Sequence, residues 1–305
     1  MKICHVITRM IVGGAQENTL FTCRGHLEHG HGCTLVTGPT EGPEGKLLEH
    51  DCPPGLEVVQ IPDLTRNLHP LKDFKAYQQL KEYFAAKSFD VVHTHSSKAG
   101  ILARIAARKA EVPVVVHTVH GQAFHRFNSW HKNLIYIKAE KLAARYCDKI
   151  YAVAQAMIDQ CVEAGVASPE QYMTVYSGMD LKPYLSCKKD IYLAADLGIP
   201  HDAIVVGKIA RLFELKGYEY LLEAAPHIVK ACPKVHFLIV GDGVLRPKLE
   251  AQIKEMGLTD HFTFTGLVPP SDIPKYTALM DILVHLSLRE GLPRTVVQAL
   301  ASAVP

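Results

Sequence analysis

Two short stretches hold the side chains best suited to chemistry. Arg211 and Lys216 lie in Gly207-Lys-Ile-Ala-Arg-Leu-Phe-Glu-Leu-Lys-Gly217, and Glu290 lies in Arg289-Glu-Gly-Leu-Pro-Arg-Thr-Val-Val-Gln298. Each stretch starts where an apolar run, Ala203–Ile209 or Ile282–Leu286, gives way to a helical pattern. The spacing therefore predicts all three charges on loops just past the carboxyl ends of strands, where open α/β sheets bind ligands. Arginine offers a planar fork to phosphate oxygens and lysine a mobile point charge. When a sugar–phosphate bond breaks heterolytically, charge grows on the leaving diphosphate, and fixed cations stabilise that state more than the ground state. Glu290 can accept hydrogen bonds from sugar hydroxyls, while Gly291, Leu292 and Pro293 lead into a helix start whose amide groups can cradle a phosphate. Gln298, eight residues after Glu290, is expected slightly more than two turns along, facing the same ligand. A substrate with a diphosphate at one end and hydroxyls at the other, a nucleotide sugar, fits this set. The plainer alternative is two solvated loop cations and an acid complementing a helix dipole.

Other candidates are weaker alone. Gly13-Gly14 falls between the first strand and first helix, where absent side chains admit a ligand to the backbone. A dinucleotide site would need G-x-G-x-x-G and an acid ending the second strand; here the glycines are adjacent and that strand ends Val36-Thr37-Gly38. His120 ends the run Val114–Gly121, again at a strand's carboxyl end. His117 and His120 are expected on opposite strand faces; His93 and His95 share one, but no third metal ligand is evident and no D-x-D occurs. The expectation is no metal and no cofactor, the nucleotide sugar acting as co-substrate.

The elements that must position these residues follow from periodicity. Strands are expected at Lys2–Thr8, Cys33–Thr37, Glu57–Ile61, Asp90–His93, Val112–Thr118 and Lys149–Val153, alternating with helices at Ala15–His29, Leu71–Ala86, Lys98–Ala110, Trp130–Tyr146 and Met157–Ala164. Ser177–Cys187, with Gly178 and Pro183, reads as a linker. The pattern then restarts, with strands at Ala203–Ile209, Val235–Val240, His261–Thr265 and Ile282–Leu286 and helices at Tyr218–Lys230, Leu245–Met256 and Arg294–Ala303. Such alternation implies parallel sheets covered on both faces. The fold class is α/β, two doubly wound, Rossmann-like domains with an interdomain cleft, residues 1–182 on the acceptor side and 183–305 binding the nucleotide sugar. Four strands and an ending directly after a helix make the second domain look incomplete.

A chain of 305 residues, 48% hydrophobic, can build two ordinary cores. With 33 Lys and Arg against 31 Asp and Glu, global charge selects no partner. Locally, ten Lys or Arg between Lys98 and Lys149 face only Glu111, Glu140 and Asp148, making a basic island. Within it Phe124, Phe127 and Trp130 sit among His125, Arg126, His131 and Lys132, so residues 124–145 offer peripheral contact with an anionic membrane or a lipid–phosphate acceptor. A helix with a normal solvated face is the competing reading. No nucleic-acid motif accompanies the charge. The eight cysteines are scattered, as buried small residues of a reducing compartment would be. Neither a signal peptide nor a membrane-length apolar run occurs, so a cytoplasmic protein is expected, compatible with a peripheral position at the inner membrane face.

As a set, Val12-Gly-Gly-Ala15, Asp90-Val-Val-His-Thr-His-Ser-Ser-Lys98, His117-Thr-Val-His-Gly121, Ser177-Gly-Met-Asp180, Ala210-Arg-Leu…Lys216-Gly217, Val240-Gly-Asp-Gly243 and Glu290-Gly-Leu-Pro293 resemble the family 4 retaining glycosyltransferases, of GT-B fold. The resemblance runs the whole length. It implies that Arg211 and Lys216 hold the diphosphate, that Glu290 contacts the donor sugar, and that His120 lines the reaction centre. It also implies that Gly13 and Gly14 border donor and acceptor. The implied chemistry is metal-independent front-face transfer with retention, a leaving phosphate oxygen helping to deprotonate the acceptor. Two departures stand out: Gln298 replaces the second Glu of the family's E-x7-E, and the family's last helix is missing, as in a C-terminally truncated chain. The expected function is transfer of a hexosyl group from a nucleotide diphosphate donor, a UDP sugar, to a surface-glycan or lipid-linked acceptor. Rival readings are a nucleotide-sugar epimerase and a non-catalytic nucleotide-sugar or partner-binding fragment.

Overall fold

A computed structural model describes residues 1–40 and 45–305. The chain forms two compact units, the first reaching Met179 and the second running from Asp180 to Pro305. The division falls just before the expected 182/183 boundary.

In the first unit the order is β1 (Lys2–Ile7), α1 (Gly14–Glu28), β2 (Gly32–Thr37), α2 (Leu47–His50), β3 (Glu57–Gln60), α3 (Pro70–Lys87) and β4 (Val91–His95). It continues with α4 (Ser97–Lys109), β5 (Val114–Val119), α5 (Trp130–Ala144), β6 (Lys149–Ala152), α6 (Gln155–Glu163) and β7 (Tyr172–Thr174). All seven strands are parallel, ordered β3-β2-β1-β4-β5-β6-β7. The central strands are apolar because they are buried on both faces. Cys4, Val6, Val36, Val92 and Val115 pack under α3 and α4, whereas Ile7 and Leu35 pack with Leu20 of α1 and Leu47 of α2. Strand order reverses between β1 and β4, which places a crevice beyond their carboxyl ends.

The second unit contains α7 (Lys182–Ser186), α8 (Ile191–Asp196), β8 (Ile204–Ile209), α9 (Tyr218–Ala231), β9 (Val235–Val240) and α10 (Arg246–Glu255). After these come β10 (Phe262–Gly266), α11 (Ile273–Thr277), β11 (Ile282–Leu283) and α12 (Arg294–Ala301). Its four parallel strands run β10-β9-β8-β11, reversing between β8 and β11. Val206, Phe237 and Ile239 pack against Leu221, Leu222 and Ala225 of α9; Val205, Leu238 and Val240 form the opposite layer.

Several boundaries differ from the sequence expectation. The fourth strand extends to His95 rather than ending at His93, and the last pairs only over Ile282–Leu283 instead of reaching Leu286. β7 was not expected: three residues with an exposed Met173 carry no apolar run. The linker is partly helical, since Pro183 is tolerated in the first turn of α7. Cysteine burial holds for Cys4, Cys23, Cys33, Cys147 and Cys161, but Cys52 is exposed and Cys187 and Cys232 are half-buried. Three of the ten cations of the basic island are ion-paired: Lys98 with Asp73, Arg104 with Glu140 and Arg108 with Asp148.

Candidate functional site

In the second unit, the loops after β8 and β11 are locked together at the switch point. Leu288 N donates to Leu215 O at 2.9 Å. Gly217 caps α9 at φ 72°, and a Cβ there would stand 2.0 Å from Leu286 O, so only glycine fits. Leu215 itself sits at φ 64°, a strained conformation for a branched side chain at a candidate site. On this scaffold Lys216 Nζ donates to Glu290 Oε1 at 2.5 Å. His285 Nε2 lies 3.6 Å from the same oxygen, and burial lowers the pKa of its ring. The Arg211 guanidinium stands over the Phe213 ring, 5.1 Å from its centre. The structure thus joins two of the three expected charges directly, on adjacent loops.

Lys208 was passed over by sequence reasoning. It lies on β8, is 1% exposed, and faces the Tyr218 ring at 5.0 Å with no hydrogen-bond partner for Nζ among the described residues. Burial pushes its pKa down to about 8, with Lys216 adding to the depression and Glu290 and Glu219 opposing it. A lone charge inside the apolar run Val205–Ile209 was the available signal.

The helix geometry expected for Glu290 and Gln298 is corrected. α12 begins at Arg294, with Pro293 as its cap at φ −74° rather than in its first turn. Glu290 therefore lies in the loop, and two-turn helical spacing does not govern its relation to Gln298, which is buried. Gly291, Leu292 and Pro293 are half-buried and lead into the open amides of α12.

In the first unit, Gly13 caps α1 in an extended conformation and Gly14 is its first residue. A cavity of about 280 Å³ opens beside Ala15, Ser96, His120 and Gly121 and reaches inward to Arg104, Glu140 and Tyr172. The structure thus places the residue after Gly14 and His120 on one cavity, at the β1/β4 switch point. Arg104, fully buried, donates from Nε to Gly100 O at 2.8 Å and from Nη2 to Glu140 Oε2 at 2.5 Å. Among the described residues Arg104 Nη1 has no hydrogen-bond partner, so the cavity wall offers a donor to a polar group.

The histidines separate as the strand pleat requires. His117 Nδ1 meets Thr94 Oγ1 at 2.9 Å on the α4 side. His93 and His95 share the other face, rings 4.3 Å apart, and β1 supplies the third imidazole that sequence did not reveal, His5. One nitrogen from each ring of this trio lies within 4.8 Å of the others, and several of the nitrogens also bond to neighbours. His5 Nδ1 meets His95 Nε2 at 2.9 Å, His95 Nδ1 meets His120 Nε2 at 3.0 Å, and His93 Nε2 meets Thr118 Oγ1 at 2.7 Å. Burial lowers the pKa of His5 and His95 well below the usual range and that of His93 to about 3.

Residues 12–182 match the model described as Glycosyltransferase Family 4, and residues 193–305 match Glycosyl transferases group 1. The whole chain is 33% identical to an Escherichia coli UDP-Gal:alpha-D-GlcNAc-diphosphoundecaprenol alpha-1,3-galactosyltransferase, spanning 78% of its length. It is 25% identical over 81% of its length to the alpha-monoglucosyldiacylglycerol synthase of Acholeplasma laidlawii, covering 66% of that protein. The crystal structure of Anabaena HepE in complex with UDP-glucose superposes on 100% of this chain and 79% of its own, with TM-score 0.80 and 23% identity.

Proposed function

The chain belongs to the family 4 glycosyltransferases, and from that premise we propose that it transfers a hexosyl residue, with retention, from a UDP sugar to a lipid-linked saccharide. The observation that carries the reading is the Lys216–Glu290 contact at the β8/β11 switch point, with Arg211 on the same loop. Arg211 and Lys216 take the developing charge of the leaving diphosphate, and Glu290, released from Lys216 when the donor enters, turns to the sugar hydroxyls. These cations supply what a divalent ion would otherwise do, so the reaction is metal-independent. Gly13 and Gly14 leave the backbone open at the start of α1, and the acceptor saccharide occupies the cavity beside His120 in the first unit. The E. coli relative's acceptor, a sugar on a diphosphate lipid, supports a lipid-linked substrate here.

The direct test is incubation of the chain with UDP-galactose and with UDP-glucose, each with a synthetic GlcNAc-diphosphate-lipid, reading product by mass. Arg211→Ala and Lys216→Ala should each lower transfer by about 10²-fold or more. Transfer at the parent rate by both variants would refute the diphosphate assignment.

The surface from Phe127 to Leu142 supports contact with an anionic membrane. Trp130 is 77% and Ile135 62% exposed, with Phe127, Leu134 and Leu142 also outside. Arg126, Lys132, Lys138, Lys141 and Arg145 are exposed around them, whereas Phe124 is buried. Among the described residues no helix is long and apolar enough to cross a membrane. Co-sedimentation with phosphatidylglycerol vesicles, falling with added salt and with Trp130→Ser, is the expected outcome; pelleting equal to that with neutral vesicles would exclude the contact.

A further inference from the structure

Three imidazoles form an unbroken line in the first unit: His5 on β1, His95 on β4 and His120 just beyond β5. The contacts are 2.9 Å from His5 Nδ1 to His95 Nε2 and 3.0 Å from His95 Nδ1 to His120 Nε2. Ring centres stand 5.2 Å apart in both pairs, with planes 13° and 28° from parallel. Rings meeting edge to edge in nearly one plane give that arrangement, with each contact a nitrogen-to-nitrogen hydrogen bond.

A neutral imidazole carries one N–H and one lone pair. His95 uses both its nitrogens, so it must donate through one and accept through the other. The line therefore has only two states. In the outward state His5 Nδ1–H donates to His95 Nε2 and His95 Nδ1–H donates to His120 Nε2, leaving the His120 proton on Nδ1. In the inward state His120 Nε2–H starts the line, and the last proton lands on His5 Nε2. A charged His95, with an N–H on both nitrogens, would fit neither state, and burial disfavours charge on His5 and His95.

The inner end decides between them. His5 is 0% exposed and its Nε2 has no hydrogen-bond partner among the described residues. One His5 ring nitrogen and the sulfurs of Cys23 and Cys33 lie within 4.8 Å of one another, and thiols are weak donors. The outward state leaves a bare lone pair there. The inward state strands an N–H, and orphaned buried donors are rarer than under-satisfied acceptors.

We propose that His5 and His95 are positioning residues that hold His120 as its neutral Nδ1–H tautomer, with Nε2 kept as an acceptor. This deepens the transfer reading and rests on it for its consequence. His120 then has no lone pair to spare, so it can donate a hydrogen bond at the reaction centre but cannot act as a general base. Removal of the acceptor's proton falls to a phosphate oxygen of the leaving group: the hydroxyl proton moves to that oxygen as the new glycosidic bond forms and the sugar–phosphate bond breaks.

The test reads the imidazoles directly. In the ¹⁵N-labelled full chain, long-range proton–nitrogen correlation should show His120 Nε2 in the unprotonated range and Nδ1 in the protonated range, assigned by the signals lost in His120→Gln. His5→Phe should release the line, so that His120 shifts towards the other tautomer, and kcat should fall about 10²-fold with little change in KM for the UDP sugar. His95→Asn, which cuts the link to His5 and leaves an amide that can present either its NH2 or its oxygen, should likewise let the His120 tautomer shift and lower kcat. A native His120 protonated on Nε2, or an unchanged tautomer in His5→Phe, overturns the proposal. The tautomer is read without turnover, so failure of the unmodified chain to transfer sugar would count against the donor and acceptor reading instead.

Discussion

Replacing Lys208 by Met should stabilise the protein. Lys208 is buried on β8 with no hydrogen-bond partner for its ammonium among the described residues, and its pKa falls from 10.5 to about 8. Each pKa unit is worth about 1.4 kcal/mol, so the buried charge costs on the order of 3 kcal/mol at neutral pH. Methionine keeps the apolar stem and fills similar volume. It gives up the cation–π contact with Tyr218, worth about 1 kcal/mol, so a net gain of about 2 kcal/mol is expected. The sign with pH follows from linkage. Below about pH 8 the lysine is protonated in both folded and unfolded chains, and the penalty is complete. Between about 8 and 10.5 the folded chain sheds the proton while the unfolded chain keeps it, so parent stability rises relative to the variant. Denaturant melts of both proteins from pH 7 to pH 10 should show the variant ahead by several degrees or the equivalent, with the gap closing above about pH 8. A variant less stable at neutral pH, or a gap independent of pH, would refute the reasoning.

Two further outcomes follow from the same geometry. Gly217→Ala should unlock the β8 and β11 loops, because its Cβ would meet Leu286 O at 2.0 Å and the position requires φ 72°; UDP affinity should fall at least tenfold by calorimetry. Glu140→Gln removes the buried partner of Arg104 and should cost about 3 kcal/mol or more, read as a lower melting temperature, with UDP affinity within about twofold of the parent.

The fold was legible because parallel strands buried on both faces leave apolar runs, and Val235–Val240 or Val114–Val119 can be read directly. The charged pair was legible for a related reason: Lys216 and Glu290 follow two such runs, and those strands prove adjacent. What escaped depended on pairing across long sequence separations. Nothing near His93 and His95 announces His5, which meets them only because β1 lies beside β4. β7 was hidden by its three-residue length, and helical spacing does not relate Gln298 to Glu290 because α12 starts only at Arg294, after its cap Pro293. Lys208 looked like strand filler, since its burial depends on Tyr218 folding over it from α9.

The most direct measurement is calorimetric titration of UDP onto the parent chain and the Arg211→Ala/Lys216→Ala double variant at one salt concentration. The two cations should be worth at least a tenfold difference in Kd, shrinking as salt rises. Equal affinities in the parent and the variant would contradict a diphosphate held at the β8/β11 switch point.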